Sequence, residues 1–582
     1  MIYAFSFAQR FGDSLFFLKR AAYSALLLSG SLYANTLTSQ NAEKIPQVPA
    51  WQSSSHWLFN ALTSNFAKQA DDYQDAIRSI ADVAEQSKQY EAFNYTYDLA
   101  ISALYIERAA EIARHWVAAY PQDSEAHLAL MRALLMKNDV ESAYAEMLAV
   151  LSTDAGPQNI AQISRLLSYL NDGNNRVSIL QRLSKAFPDN PFLYYYLGIH
   201  ASEQGQIDLA IDAFNHALMI DKQWRQLEIM QAKALSSIGA LKEARHMMAN
   251  LRKRYPEDSS LLSTEIDMLV EYYQWEDALE LARRWDKNVP GEPRIQELIA
   301  WLYANSKNYA MAEKSYRYLL EHDIIEDSQF AFQMGQAAIA AGKNDAARTW
   351  LQSIPADSRL YMLARQQQSL MLFEEKRIAQ AQQAFAEMRK EFSDYALEMY
   401  LVEITQLDQA KKFAEAQAVL HAALQDYPTQ IDLLYAQAEH LSMSGDAAAA
   451  ESAYQEILAL DAANIDALNA YGYLLLTQTE RRQEAAVMIE KAIAQYPDSP
   501  AIQDSYAWLL YRQGKSQEAL KWSQRAYAAY RKNEIAAHYV EILAANDKKD
   551  LAREVYQNEM RGQPNNPHLI EIGQRLGLAD EH

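Results

Sequence analysis

The sequence predicts an all-α solenoid, a right-handed superhelix of about fifteen helix pairs. Three observations carry that prediction. Pro121, Pro188, Pro256, Pro290, Pro428, Pro497 and Pro564 are spaced by 67, 68, 34, 138, 69 and 67 residues, each within two of a multiple of 34. One skeleton of side chains recurs at that period. The composition is that of helices: 582 residues contain only 16 Gly, and Ala, Leu, Gln, Glu and Tyr dominate. A chain of this length exceeds what one compact core holds. At 50% hydrophobic and 22% charged it is globular, not disordered.

The first segment, 1–34, has the layout of an export signal. Lys19 and Arg20 precede an apolar run from Ala21 to Leu28, and small residues follow, with cleavage expected after Ala34. The run is far shorter than the ~20 residues that cross a bilayer. Leu28, Ser29, Gly30 and Ser31 are similar to a bacterial lipoprotein signal box, but Ser31 stands where the lipid-bearing Cys is needed. The expected product is therefore periplasmic, soluble or peripherally associated with the envelope, and carries no lipid anchor. Residues 35–56, with Pro46 and Pro49, read as a flexible linker.

Repeats follow, grouped as 57–190 with one degenerate unit at 157–190, 191–427, and 428–582 ending in a capping helix. From Pro191, Tyr194, Leu197, Gly198, Gly205, Ala210, Phe214 and Ala217 mark the unit. Gln503, Tyr506, Ala507, Gly514, Ala519, Ser523 and Ala526 fall at corresponding places from Pro500, as do Leu434, Gln437, Ala438, Gly445, Ala450, Tyr454 and Ile457 from Ile431. Further units start near 124, 225, 259, 293, 328, 362, 397 and 533, and the unit from 465 carries one extra residue around Glu480–Gln483. Each unit reads as two antiparallel helices, A and B. Small residues let the backbones approach, while Tyr194, Leu197 and Phe214 fill the remaining space. Gly205 permits the A–B turn, and Pro stops B before the next A. One pair cannot bury both faces, whereas stacked neighbours can. The period and skeleton are those of the tetratricopeptide repeat.

The resemblance is wider than one repeat. The segments "ALNAYGY", "PAIQDSYAWLLYRQG" and "EIAAH", within a match from about Trp57 to Leu578, resemble the proteobacterial periplasmic repeat proteins that include the adaptor of a carboxyl-terminal processing protease. That resemblance implies a helical scaffold that binds the protease and brings it exported substrates such as peptidoglycan hydrolases. The family's adaptor is a lipoprotein, and Ser31 departs from it there.

No chemistry-bearing motif competes with the repeats. HExxH, GxSxG, GxGxxG and the phosphate-loop pattern are absent. Zero Cys excludes disulfides, thiolate metal sites and Cys nucleophiles. The twelve His are scattered, so no metal or other cofactor is expected. A net charge of −21 opposes binding to nucleic acid. The repeat phase leaves no block large enough for a catalytic domain, and the expected protein is not an enzyme.

What remains is the concave face, lined by offsets 2, 5, 9, 12 and 13 of each helix A. Near the C-terminus these give a candidate partner-binding groove of Tyr435, Glu439, Asn469, Tyr473, Asp504, Trp508, Tyr511 and Arg512. Tyr195 and Trp301 fall on the same face farther back, while Trp116 and Trp285 fall at helix-B core offsets. Aromatics beside hydrogen-bonding groups suit peptide capture. The basic clamp that grips a terminal carboxylate is missing: its places hold Asp432, Tyr435, Asp466, Asn469, Ala501 and Asp504. Partners should present apolar or basic segments. The function expected is a periplasmic protein–protein scaffold acting as a protease adaptor. The alternatives are a scaffold for envelope polysaccharide or cell-wall assembly, and a repeat-fused enzyme.

Overall fold

Helix propensity and the 34-residue phase lead to hairpins of nearly constant length. The computed structural model describes Ser64 and residues 73–578 except 171, 223, 532 and 533. The export signal and linker lie outside the described residues. Thirty α-helices and no strand occur among the described residues.

The first eight helices are α1 (Tyr73–Ser87), α2 (Tyr90–Ser102), α3 (Ile106–Ala119), α4 (Ser124–Met136), α5 (Val140–Thr153), α6 (Pro157–Leu166), α7 (Gly173–Ala186) and α8 (Pro191–Glu203). Then come α9 (Ile207–Ile220), α10 (Arg225–Ser237), α11 (Leu241–Arg254), α12 (Ser259–Glu271), α13 (Trp275–Asn288), α14 (Pro293–Asn305), α15 (Tyr309–Glu321) and α16 (Asp327–Ala340). They are followed by α17 (Asn344–Gln352), α18 (Tyr361–Glu374), α19 (Ile378–Glu391), α20 (Ala396–Gln409), α21 (Phe413–Asp426), α22 (Ile431–Ser444) and α23 (Ala447–Leu460). The last are α24 (Ile465–Gln478), α25 (Arg482–Gln495), α26 (Pro500–Arg512), α27 (Ser516–Ala529), α28 (Glu534–Ala545), α29 (Lys549–Gly562) and α30 (Pro567–Leu576). From α2 onward even numbers are A helices and odd numbers B helices. Each starts within a residue of the place the repeat assigns to it.

Local chemistry sets the ends. Asp123, Asp258 and Asn464 side chains accept from backbone N–H groups of α4, α12 and α24, satisfying donors the helix cannot. The A–B turn needs one left-handed residue. Gly205 (φ +65°) and Gly514 (φ +81°) supply it without strain. Asn138, Lys307, Lys376 and Lys411 adopt the same conformation at the same phase, φ +56° to +60°. The turn is therefore dictated by hairpin stacking even where the sequence offers no glycine. In the degenerate unit α6 has only 10 residues and runs into a 3-10 turn, Leu167–Tyr169.

The described chain divides into two compact units, one through Ala234 and one from Leu235, the division falling inside α10. In the first, a Cβ on Gly198 would overlap the buried Phe214 ring, between fully buried Ala210 and Ala217. That is the close approach the small-residue pattern implies. In the second, the same device recurs at Gly472, whose Cβ would stand 2.8 Å from Ile489 Cγ1. Its apolar side chains form successive clusters, such as Leu262–Ala337, Phe373–Leu433 and Leu434–Leu509.

Successive A helices also touch each other, α14 with α16, α20 with α22, α24 with α26 and α26 with α28. They occupy the shorter, inner arc. The second unit also joins its two ends. Tyr539 Oη donates to Ile238 O at 3.1 Å, across 301 positions of sequence, and Gln274 Nε2 donates to Asn558 Oδ1 at 3.3 Å, across 284. This solenoid segment is a closed ring, where the repeat alone implies an open superhelix.

Candidate protein-binding site

The concave rule locates a cavity in the second unit. Among the places its offsets give on α12, α14, α16 and α18, Ser260, Ser263, Arg294, Glu297, Trp301, Gln329, Phe332, Gln336 and Leu363 line one space of about 1110 Å³. B-helix residues complete it, notably Trp285 and Val289 of α13 and Tyr316 and Leu319 of α15, and the 355–360 connection closes one side.

The floor is apolar. Leu298, Tyr316, Ile325 and Phe332 are buried there, and Trp301 and Trp285 stand half-buried above it. Trp275 meets Trp301 edge-on at 5.3 Å and fixes its plane. Trp116 is buried at 2% exposure, as its core offset implies. Trp285 differs. It sits in the last turn of α13, where the cavity replaces a packed neighbour, so one edge is open.

Gln329, Gln333 and Gln336 share one face of α16 by their spacing of four and three. Tyr316 Oη donates to Gln333 Oε1 at 3.3 Å, and Gln336 Nε2 donates to Gln367 Oε1 at 3.2 Å. A carboxamide both donates and accepts, so this stripe matches a peptide backbone regardless of its side chains. Glu292, Glu297, Glu326 and Asp357 face the space against only Arg294 and Arg359. Burial raises the Glu297 pKa, and Arg294 opposes the shift. The cavity therefore offers aromatic walls, an amide stripe and an acidic balance, which suits an extended apolar or basic polypeptide segment.

The eight C-terminal residues occupy a different setting. Tyr435, Glu439, Asn469 and Asp504 are buried; Tyr473, Trp508 and Tyr511 are half-buried; Arg512 is exposed. Tyr435 Oη donates to Asp466 O at 3.1 Å. Tyr473 Oη donates to Glu534 at 3.0 Å, and Tyr511 Oη to Glu541 at 3.1 Å. His538 bridges the rest. Its Nδ1 meets Asp504 Oδ2 at 2.8 Å, and its ring stacks on Trp508 at 4.0 Å, 13° from parallel. Burial lowers the His538 pKa, but Asp504, Glu534 and Glu541 together outweigh it, leaving the group raised above its ordinary value. The Asn469 amide is fully buried with no hydrogen-bond partner.

Trp508, Tyr473 and Tyr511 thus form one cluster, with α28 supplying the polar partners. Glu534, His538 and Glu541 escaped the reading, although the same offset rule applied to the unit at 533 gives Glu534 and Glu541. Likewise, applying it to the units at 293 and 328 gives Glu297, Gln329 and Phe332. Tyr195, in the first unit, stacks on Trp224 at 4.9 Å.

The tetratricopeptide-repeat family model matches residues 472–534. A TPR repeat-containing protein of Pseudomonas aeruginosa is 34% identical over 178 residues, which is 31% of this chain and 30% of the relative. The matched part therefore spans under a third of that relative's length. Among solved structures, a tetratricopeptide repeat protein from Parabacteroides merdae is 13% identical, covering 43% of this chain and 98% of its own, at a TM-score of 0.32. The Naa15/Naa10 complex bound to HypK is 13% identical, covering 83% of this chain and 95% of the matched one, at a TM-score of 0.29. This chain is an all-α tetratricopeptide-repeat protein related to the Pseudomonas one. Repeats of this kind mediate protein–protein contacts through their concave faces.

Proposed function

We propose that the chain is an exported, non-catalytic adaptor that binds a processing protease and presents envelope proteins to it. One observation carries the presenting role: the 1110 Å³ concave cavity with Trp301 and Trp285 in its wall and the amide stripe of α16 along it. Trp rings take apolar side chains at low entropy cost, and the carboxamides hold backbone. The four carboxylates favour basic flanks. A partner held there and a protease bound elsewhere on the same solenoid meet at an effective concentration set by the scaffold, not by diffusion. The identity of the second partner draws its support from the resemblance over Trp57–Leu578. Export draws its support from the layout of residues 1–34.

A photo-reactive amino acid placed at Gln329 and, separately, at Trp301 tests this in intact cells. The expected adducts, identified by mass spectrometry, are exported proteins and a processing protease. Adducts with cell-wall synthases or polysaccharide-export proteins would transfer the scaffold to that assembly. No adduct at either place, while the chain still co-purifies with partners, refutes capture in this cavity.

A further inference from the structure

We propose that the closure of the second unit is a gate: the seam between its two ends opens to admit a polypeptide to the inner face. The proposal rests on the reading that the inner face captures polypeptide.

The seam is specific. On one side are the A–B turns of the α10–α11 and α12–α13 hairpins; on the other are α27, α28 and one stripe of α29. Glu554 Oε1 accepts from the Lys242 backbone N–H at 2.8 Å. Arg531 Nη2 donates to Glu271 Oε2 at 3.0 Å, and its guanidinium lies over the Tyr272 ring at 4.3 Å. A Val555 methyl fills the place where a side chain on Gly239 would begin, and Gly562 lies flat against the Tyr273 ring. Tyr272, Tyr527 and Tyr539 are completely buried here, so the closed form is well packed.

The consequence is topological. The A helices, which carry the cavity between α12 and α18, lie on the inner arc of the ring. A chain with large folded ends reaches that arc only if the ring opens. Two features make the seam the place where it does. Tyr539–Ile238, Gln274–Asn558, Lys242–Glu554 and Arg531–Glu271 are polar contacts across the seam, and Arg531 Nη1 and Asn558 Nδ2 are buried there without partners, so water gained on opening satisfies groups the closed form leaves bare. In addition, each hairpin of a solenoid contacts mainly its neighbours, so parting the ends needs only small rotations shared among many hairpins. A break inside the Leu262–Ala337, Phe373–Leu433 or Leu434–Leu509 cluster would instead part hairpins across apolar side chains.

The chain has no native Cys, which permits a clean lock. A Cβ on Gly239 would lie 3.6 Å from Val555 Cβ, inside the span of a disulfide. The test compares the Gly239→Cys/Val555→Cys chain oxidised and reduced, so that each form controls for the folding of the other. The Lys242 amide reports the seam directly. At the start of α11 it has no intrahelical acceptor, and Glu554 Oε1 accepts from it instead. An unstructured basic and apolar segment flanked at both ends by folded domains, which cannot thread a closed ring, serves as the probe.

Oxidation is expected to slow exchange of the Lys242 amide at least tenfold and to slow probe association at least tenfold, with dithiothreitol restoring both. Equal exchange in the two forms overturns the opening of the seam. Slowed exchange with unchanged association overturns its role as the entry route. A probe that binds neither form sinks the capture reading, and the exchange difference alone then upholds or overturns the opening.

Discussion

Gly562→Ala measures how tightly the ring is shut. A Cβ there would overlap three ring carbons of Tyr273, Cε2, Cζ and Cδ2, whereas ordinary contact begins at 3.4 Å. Either the ring swings by about an ångström or the seam gives. Overpacking of this kind costs about 1–3 kcal/mol. Replacing Gly by Ala inside a helix returns about 0.8–1 kcal/mol, and less at the last residue of α29. The net penalty is about 1–2 kcal/mol on the closed seam, which multiplies its open population by about 5–30. Hydrogen exchange should then quicken at the Lys242 amide and in residues 271–274, while the interior of α29 holds its protection or gains some. Tyr273→Gly removes the obstacle, so the double variant should recover about 1–2 kcal/mol of coupling. These residues are far apart in sequence and share no helix, so only the seam couples them. Additive effects in the double variant, or acceleration confined to α29, would refute the closure.

Further outcomes rest on the same geometry. Trp301→Ala should weaken capture of an extended apolar–basic peptide about tenfold or more in fluorescence titration, the loss expected of a buried aromatic anchor. Trp508→Ala should act chiefly on local stability, because its ring is stacked on His538. The His538 pKa is raised in the folded chain, so its contribution is complete below the ordinary His value of about 6.5 and fades as pH rises through the folded value. Protection in α26 and α28, with the intrinsic pH dependence of amide exchange divided out, should fall as pH rises above about 6.5, and His538→Gln should remove that fall. Gly514→Ala should destabilise its hairpin by about 1 kcal/mol, because φ is +81° although the space is open. Lys411→Gly at φ +56° should be neutral or stabilising by up to about 1 kcal/mol, strain relief outweighing the looser unfolded chain. Differential scanning calorimetry and local exchange separate the two signs.

Much of the fold was legible because it is written locally. Pro191 and Pro500 begin α8 and α26, Ser259 begins α12, and Ile431 begins α22, each where the period assigns a start. The Gly198–Phe214 contact could be read from residue size alone. The turn was only half legible: Gly205 announces a left-handed residue, whereas Lys307 and Lys411 do not, since nothing in a Lys side chain favours φ near +60°. The concave face was legible as a set of offsets. Which stretch of it stays open was not. Trp301 and Trp508 occupy the same offset of their repeats, yet Trp301 borders a cavity and Trp508 lies under His538. That difference comes from residues one repeat away.

The sequence by itself determined the repeat length, the hairpin, the small-residue contacts and the inner face, because each depends on neighbours within about one period. Tertiary structure alone decided that the chain from Leu235 closes on itself and where its inner wall stays hollow. Closure depends on the sum of many small rotations between hairpins, and no single repeat encodes that sum. The Tyr539–Ile238 hydrogen bond exists only once the sum brings the two ends together.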